Sequence, residues 1–281
     1  MTKLSSHRRL PLLLLAATLA STLAAACHQV DRFKDLNSVS ITLERTACYG
    51  ICPVYTATLD GSGVVKYAGE RYVDIPGQQT AKIPPENVRN LLKAFEDIHF
   101  FTLRDKYTGP CTDLPTEFIS LSVDGKTKRI QNYFCRDAKS GPQVDLFKLA
   151  QQIDSVAGTR RWIKCDAQCL AELIPAGLNV NASASDGTTP LLAAISRKNW
   201  ASARLLLGSG AQTNVADSQD HTPLMHAAMA NNPEMARELL AHGANVNSKN
   251  GKGFTALDMV AGGSEVQQVL LKAGAKSHGT K

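Results

Sequence analysis

The sequence predicts two domains of different class: an α+β domain over residues 38–158, followed by an all-α stack of helix pairs over residues 159–276. Two observations carry this. In the first stretch, short runs of alternating apolar and polar residues are punctuated by Asp-Gly turn signals and by two helical patterns that each open on proline. In the second, Thr189-Pro190-Leu191, Thr222-Pro223-Leu224 and Thr255-Ala256-Leu257 recur every 33 residues. A third observation sets both apart from the N-terminus, where a basic start and an apolar run read as a leader.

Element by element, Val39–Leu43 alternates as a half-buried strand. Val54–Leu59 and Val64–Tyr67 flank Asp60-Gly61-Ser62-Gly63, a hairpin signal, and Arg71–Ile75 reads as a fourth strand. Pro84-Pro85-Glu86 opens a helix that places Val88, Leu91, Leu92, Phe95 and Ile98 on one face. A second hairpin, Glu117–Val123 and Thr127–Phe134, turns at Asp124-Gly125. Pro142 starts a last helix with Phe147, Ala150 and Ile153 along one side. The order implies an antiparallel sheet with two segregated helices.

In the repeats, Pro190 and Pro223 sit where a first helix begins, a position at which a missing N–H costs nothing. Thr189, Thr222 and Thr255 can cap those helices through their hydroxyls. Gly177, Gly210, Gly243 and Gly274 fit the left-handed position that ends a second helix. Two units are complete, roughly 178–210 and 211–243. The third is two residues short between its triplet and its glycine, and residues 169–177 look like the second helix of an N-terminal cap. Asp220 stands where a turn glycine is usual, and aspartate tolerates that backbone region. This phased pattern resembles the ankyrin repeat. In the positions after T-P-L or T-A-L, Leu192, Met225 and Asp258 replace the histidine often found in that family. The resemblance implies a protein-binding stack that contacts its partner through turn tips and inner helices. Here these supply Asp186, Gln219, Asp220, His221, Lys252 and Phe254 at the tips, and Ser196, Arg197, Met229 and Asn231 on the inner helices.

Cys48-Tyr49-Gly50-Ile51-Cys52-Pro53-Val54-Tyr55 resembles the C-x-G-x-C-P-x-Y opening of an uncharacterised bacterial domain family, which is often exported and sometimes precedes ankyrin repeats. The same two thiols before a proline are similar to the C-x-x-x-C-P of periplasmic copper-delivery proteins, whose soft thiolates select Cu(I). Those proteins have a parallel fold and a distal histidine, whereas this domain reads as antiparallel with His99 as its one histidine. A disulfide stapling the turn is therefore the expectation, with thiol redox or copper handling as the alternative.

Residues 1–26 read as an export signal, 27–37 as a tether and 277–281 as a tail. Leu23-Ala24-Ala25-Ala26-Cys27 resembles a bacterial lipobox, with its large aliphatic residue four rather than three before the cysteine; Ala24-x-Ala26 equally resembles an ordinary signal-peptidase site. Acylated Cys27, followed by His28 rather than aspartate, implies an outer-membrane lipoprotein of the bacterial periplasm; the ordinary cleavage would leave a soluble periplasmic protein. Using Cys27 leaves six cysteines, suited to an oxidising compartment. Their connectivity stays open, and proximity favours Cys48–Cys52, Cys111–Cys135 and Cys165–Cys169. The last pair requires a non-helical turn near Asp166, because one regular helix is poor disulfide geometry at this spacing.

The formal charge of +6 falls to +3 when Lys3, Arg8 and Arg9 leave with the leader. That mild, unclustered balance with 6% aromatics excludes a nucleic-acid footprint. No metalloprotease, nucleophile-elbow or phosphate-loop motif occurs. Neither catalysis nor a cofactor nor a metal is expected. The sequence reads as a protein-interaction module with an unidentified partner in the cell envelope, held at the membrane by its lipid.

Overall fold

A computed structural model describes residues 35–109, 114–133 and 140–278. Among the described residues, alternating burial builds seven strands: β1 Ser40–Arg45, β2 Val54–Asp60, β3 Val64–Arg71, β4 Gly77–Lys82, β5 Lys106–Tyr107, β6 Glu117–Val123 and β7 Lys126–Asn132. They form one sheet in the order β4-β3-β2-β1-β6-β7-β5, antiparallel except where β5 runs parallel to β7. Asp124 and Gly125 both take positive φ (50° and 74°), the two-residue turn whose twist matches the flanking strands. Two helices follow their prolines, α1 Pro85–Asp97 and α2 Pro142–Ala157. They pack on each other, and α2 lies on the sheet face that buries Ile41, Leu43, Ala57, Leu59, Ile119, Leu121 and Ile130. In α2 the fully buried stripe is Leu146, Leu149, Ala150, Ile153 and Ala157, with Phe147 half-buried beside it.

The fourth strand is not the one the alternation predicts. β3 runs through to Arg71, Tyr72 turns with φ 57°, and the pairing strand is the polar Gly77–Lys82. Val73 and Ile75 are buried as expected, but their segment bonds elsewhere. Asp74 N donates to Ile163 O (3.1 Å) and Ile75 N to Trp162 O (2.9 Å). Helical carbonyls, not a strand, satisfy this backbone.

Beyond the sheet come α3 Arg160–Ile163 and α4 Ala167–Leu173, then the paired helices α5 Pro190–Ser196 with α6 Trp200–Gly208, and α7 Pro223–Met229 with α8 Pro233–Ala241. The third pair is a 3-10 turn, Ala256–Met259, with α9 Glu265–Lys272. Thr189 and Thr222 cap their helices by accepting from Leu192 N and Met225 N (3.4 and 3.3 Å). In the shortened third unit proline is missing and Val260 is extended, so the first helix ends after one turn. Asp258 holds that turn by accepting from Thr255 N and His278 N (both 2.8 Å) and from Ser277 Oγ (2.8 Å). Its carboxyl sits at about 2: partial burial pushes it up, and these donors push it further down.

A ladder of asparagines ties each unit to the next. Asn181, Asn214 and Asn247 donate to Gly210 O, Gly243 O and Gly274 O (3.2, 3.0 and 3.2 Å). Each also accepts a backbone N–H two residues past that glycine: Gln212, Asn245 and Lys276, at 2.7–2.8 Å. The helices bury Leu191, Leu206, Leu224, Leu239 and Leu270 between them.

From Asn37 onward the described residues form one compact unit, so the two domains share a seam. Gln79 donates to Asn179 O and accepts from Asn179 N, both at 3.0 Å. Arg197 donates to Val73 O (2.6 Å) and Asp74 Oδ1 (2.5 Å), and Trp162 stacks on Tyr67 with ring centroids 4.7 Å apart. Gly77, at φ 78°, lies so close to Ala182 and Ser183 that a Cβ there would sit 2.5 Å from Ser183 N.

Candidate functional site

Among the described residues the repeats carry three turn tips, in which Ala184 N donates to Thr188 O, Asp217 N to His221 O and Asn250 N to Phe254 O. An acidic or amide side chain locks each. Asp186 Oδ1 accepts from Thr188 N, Asp217 Oδ1 from Gln219 N and His221 N, and Asn250 Oδ1 from Lys252 N and Phe254 N, all at 2.9–3.0 Å. Asp220 takes φ 59°, in the left-handed region that Gly187 and Gly253 occupy in the other two tips. The backbone of each tip is thus fixed before any partner arrives.

The tips differ in what they leave free. At the first, Ser185 donates through N and Oγ to Glu70 Oε2 (2.9 and 2.5 Å), so β3 engages this tip, and Asp186 is half-buried. At the second, Gln219 and Asp220 are exposed, whereas His221 is half-buried and bonded through Nε2 to Asn250 Nδ2 (3.1 Å). At the third, Lys252 is exposed and Phe254 keeps 40% of its surface, its ring 5.2 Å from His278. Met229 adds an exposed apolar side chain at the end of α7. Arg197, expected at the partner face, belongs to the seam instead.

Cys48 and Cys52 are joined as a disulfide with Cα atoms 5.8 Å apart. The loop they close turns Tyr49 (91% exposed) and Ile51 (83% exposed) into solvent. Cys165 and Cys169 are also joined, Cα atoms 5.2 Å apart. Cys165 precedes the helix, Asp166 is its extended N-cap, and the Asp166 carboxylate accepts from Cys169 N (2.9 Å). Cys111 and Cys135 lie outside the described residues, as does Cys27.

A buried polar cluster escaped the sequence reading. Tyr55, the last residue of the C-x-G-x-C-P-x-Y motif, donates to Asp154 Oδ1 (2.6 Å) and accepts from Arg45 Nε (2.8 Å). Arg45 also pairs with Asp154 Oδ2 (2.7 Å) and with Glu117, and Thr159 Oγ1 donates to Asp154 Oδ1 (2.7 Å). Burial raises the Tyr55 hydroxyl well above its usual value, Arg45 opposes this, and Asp154 adds to it. Burial would lower the Arg45 guanidinium, but Tyr55, Asp154 and Glu117 around it raise it further. The cluster joins β1, β2, β6 and α2 as an internal clamp. One ring away, buried Tyr67 has a hydroxyl without a hydrogen-bond partner among the described residues.

Comparison with known families matches residues 39–157 to a Domain of unknown function (DUF6438) and residues 201–280 to Ankyrin repeats (3 copies). The sheet with its two helices is the first region, and the helix pairs from α6 onward are the second. Among curated proteins none matches the chain. Among the described residues no helix is long and apolar enough to cross a membrane.

Proposed function

We propose that this chain is an exported, lipid-anchored envelope protein without catalytic activity of its own, which holds a protein partner on its ankyrin stack. The repeats support a protein-interaction module, with the partner unspecified. The observation that carries the finer reading is the asymmetry of the tips. The first is engaged by Glu70, while the second and third turn Gln219, Asp220, Lys252 and Phe254 outward from backbones already locked. Binding to such tips needs little ordering of the loop, which keeps the entropic cost of association low. Phe254 and Met229 supply apolar anchors, Lys252 and Asp220 a polar surround.

Export and anchoring rest on the leader and on Cys27-His28. The two disulfides among the described residues suit an oxidising compartment. Several acyl chains on Cys27 would hold the protein stably where one would not.

The test replaces side chains that are exposed and bear no backbone role. Gln219→Ala, Lys252→Ala and Phe254→Ala together should weaken capture of an envelope partner at least ~10-fold with the melting temperature unchanged. Undiminished capture refutes the tips. Mass spectrometry of the mature N-terminus tests the anchor, and an unmodified Cys27 refutes it.

A further inference from the structure

The second tip holds a group of half-buried side chains distinct from its exposed Gln219 and Asp220. Asp217, His221 and His226 each offer one donor atom, and the three atoms lie within 4.8 Å of one another. Asp217 and His221 close the tip, and His226 stands in α7 immediately beyond it. His226 Nε2 is 2.8 Å from Asp217 Oδ2, and the His221 ring meets the His226 ring edge-on with centroids 5.7 Å apart. We propose that Asp217, His221 and His226 form a binding site for a divalent transition-metal ion of the zinc type.

Two imidazoles and a carboxylate are a borderline donor set, suited to Zn2+ rather than to calcium or magnesium, which take oxygen. In a tetrahedral zinc site with bonds of about 2.0–2.2 Å, donor atoms stand roughly 3.3 Å apart. Side-chain rotations would have to open the Asp217–His226 pair slightly from 2.8 Å and draw His221 in from within 4.8 Å. Asp217 is already oriented for the task. Its Oδ1 is held by Gln219 N and His221 N, which leaves Oδ2 directed at His226. A metal would take the place of the hydrogen now shared between Oδ2 and Nε2, with the His226 imidazole bound as its Nδ1–H tautomer.

Asn250 decides how open the site is. Its Oδ1 accepts from Lys252 N and Phe254 N, so its amide nitrogen must face His221 and donate to Nε2. That bond orients the ring and ties up its Nε2 lone pair, which disfavours the imidazole as a metal ligand. Asn250 and Asp217 occupy equivalent places in successive tips, 33 residues apart in a chain of that period. An aspartate at 250 can therefore lock its own tip as Asp217 does. It would remove the competing N–H and present a second carboxylate oxygen to the ion.

The test titrates Zn2+ into the tag-free full chain after chelator treatment, by calorimetry and by thermal shift, with Co2+ absorption reporting ligand geometry. One Zn2+ per chain is expected. His221→Ala with His226→Ala should weaken it at least about 100-fold, since changes outside the first coordination sphere alone cost about 10–100-fold. Asn250→Asp should tighten it by about 10-fold, an outcome that no loss of folding can imitate. Absence of Zn2+ binding in the wild type, equal affinity in the double variant, or weaker binding by Asn250→Asp each overturns the proposal. None of these outcomes bears on the partner-binding reading, because the tip variants that test it leave all four residues intact.

Discussion

Tyr55→Phe and Tyr67→Phe each delete one hydroxyl from neighbouring buried rings whose centroids are 5.6 Å apart, and opposite outcomes are expected. The Tyr55 hydroxyl gives a hydrogen bond to Asp154 at 2.6 Å and takes one from Arg45 at 2.8 Å, and both partners are charged. Hydrogen bonds to charged groups contribute about 1.5–3 kcal/mol net. Asp154 keeps Arg45 and Thr159 after the change, so no buried charge is orphaned and the loss should sit near the lower end, about 1.5–2 kcal/mol. Tyr67 buries its hydroxyl with no hydrogen-bond partner among the described residues, an arrangement that costs about 1–3 kcal/mol of desolvation. Its phenylalanine variant should be neutral or up to ~1 kcal/mol more stable. Urea denaturation followed by Trp162 fluorescence, in a Trp200→Phe background, reads both, because Trp162 stacks on Tyr67. Equal destabilisation by the two variants would refute the assignment of the clamp to Tyr55 and show instead that both rings act only by filling space.

Leu206→Ala or Leu239→Ala, each emptying a buried position between repeat helices, should cost about 2–5 kcal/mol in the same denaturation assay. Cys48→Ser with Cys52→Ser opens a loop short enough that only about 2 kcal/mol should be lost, with partner capture retained. Stoichiometric Cu(I) on the reduced wild type, absent from that double variant, would instead favour metal handling. The folded-state pKa of Asp258, about 2, lies below the ordinary 3.8, so its contribution to the third repeat is complete above that ordinary value and fades as the pH falls through the folded one. The protection of the Thr255 and His278 amides against hydrogen exchange, relative to their intrinsic rates, should therefore fall between these limits, and Asp258→Ala should remove the pH step. Gly77→Ala forces a Cβ against the Ala182–Ser183 backbone from a left-handed φ and should destabilise by more than ~1 kcal/mol. An unchanged urea midpoint would mean the seam is looser than its contacts indicate.

What the sequence disclosed was local. The Asp124-Gly125 turn, the proline-led helices and the period of the repeats each depend on residues within a few positions of one another. Asp220 in the glycine position was legible for the same reason. The misplaced strand was not, because the carbonyls that satisfy Asp74 and Ile75 come from Trp162 and Ile163. A low-propensity stretch, Gly77–Lys82, took the sheet position because β3 and the seam receive it. The clamp was hidden by distance, since Arg45 and Asp154 are 109 residues apart. The Asp217–His221–His226 group had the opposite difficulty. Its residues are close in sequence, but only the locked turn aims them at one point.

The seam also bears on how the protein can be dissected. Asn179 and the Ala182–Ser183 backbone complete the margin of the sheet domain at β4, where Gln79 and Gly77 are buried beneath them. Trp162 and Tyr67 meet across the same border. A fragment cut at the end of the sheet domain would bare aromatic surface and an amide-rich edge strand, a template for self-association. Such a truncation should be recovered largely as insoluble material and cleared by cellular proteases. Gene designs that keep residues through the first repeat should give soluble protein, which makes that repeat a chaperoning cover as well as the base of the binding stack.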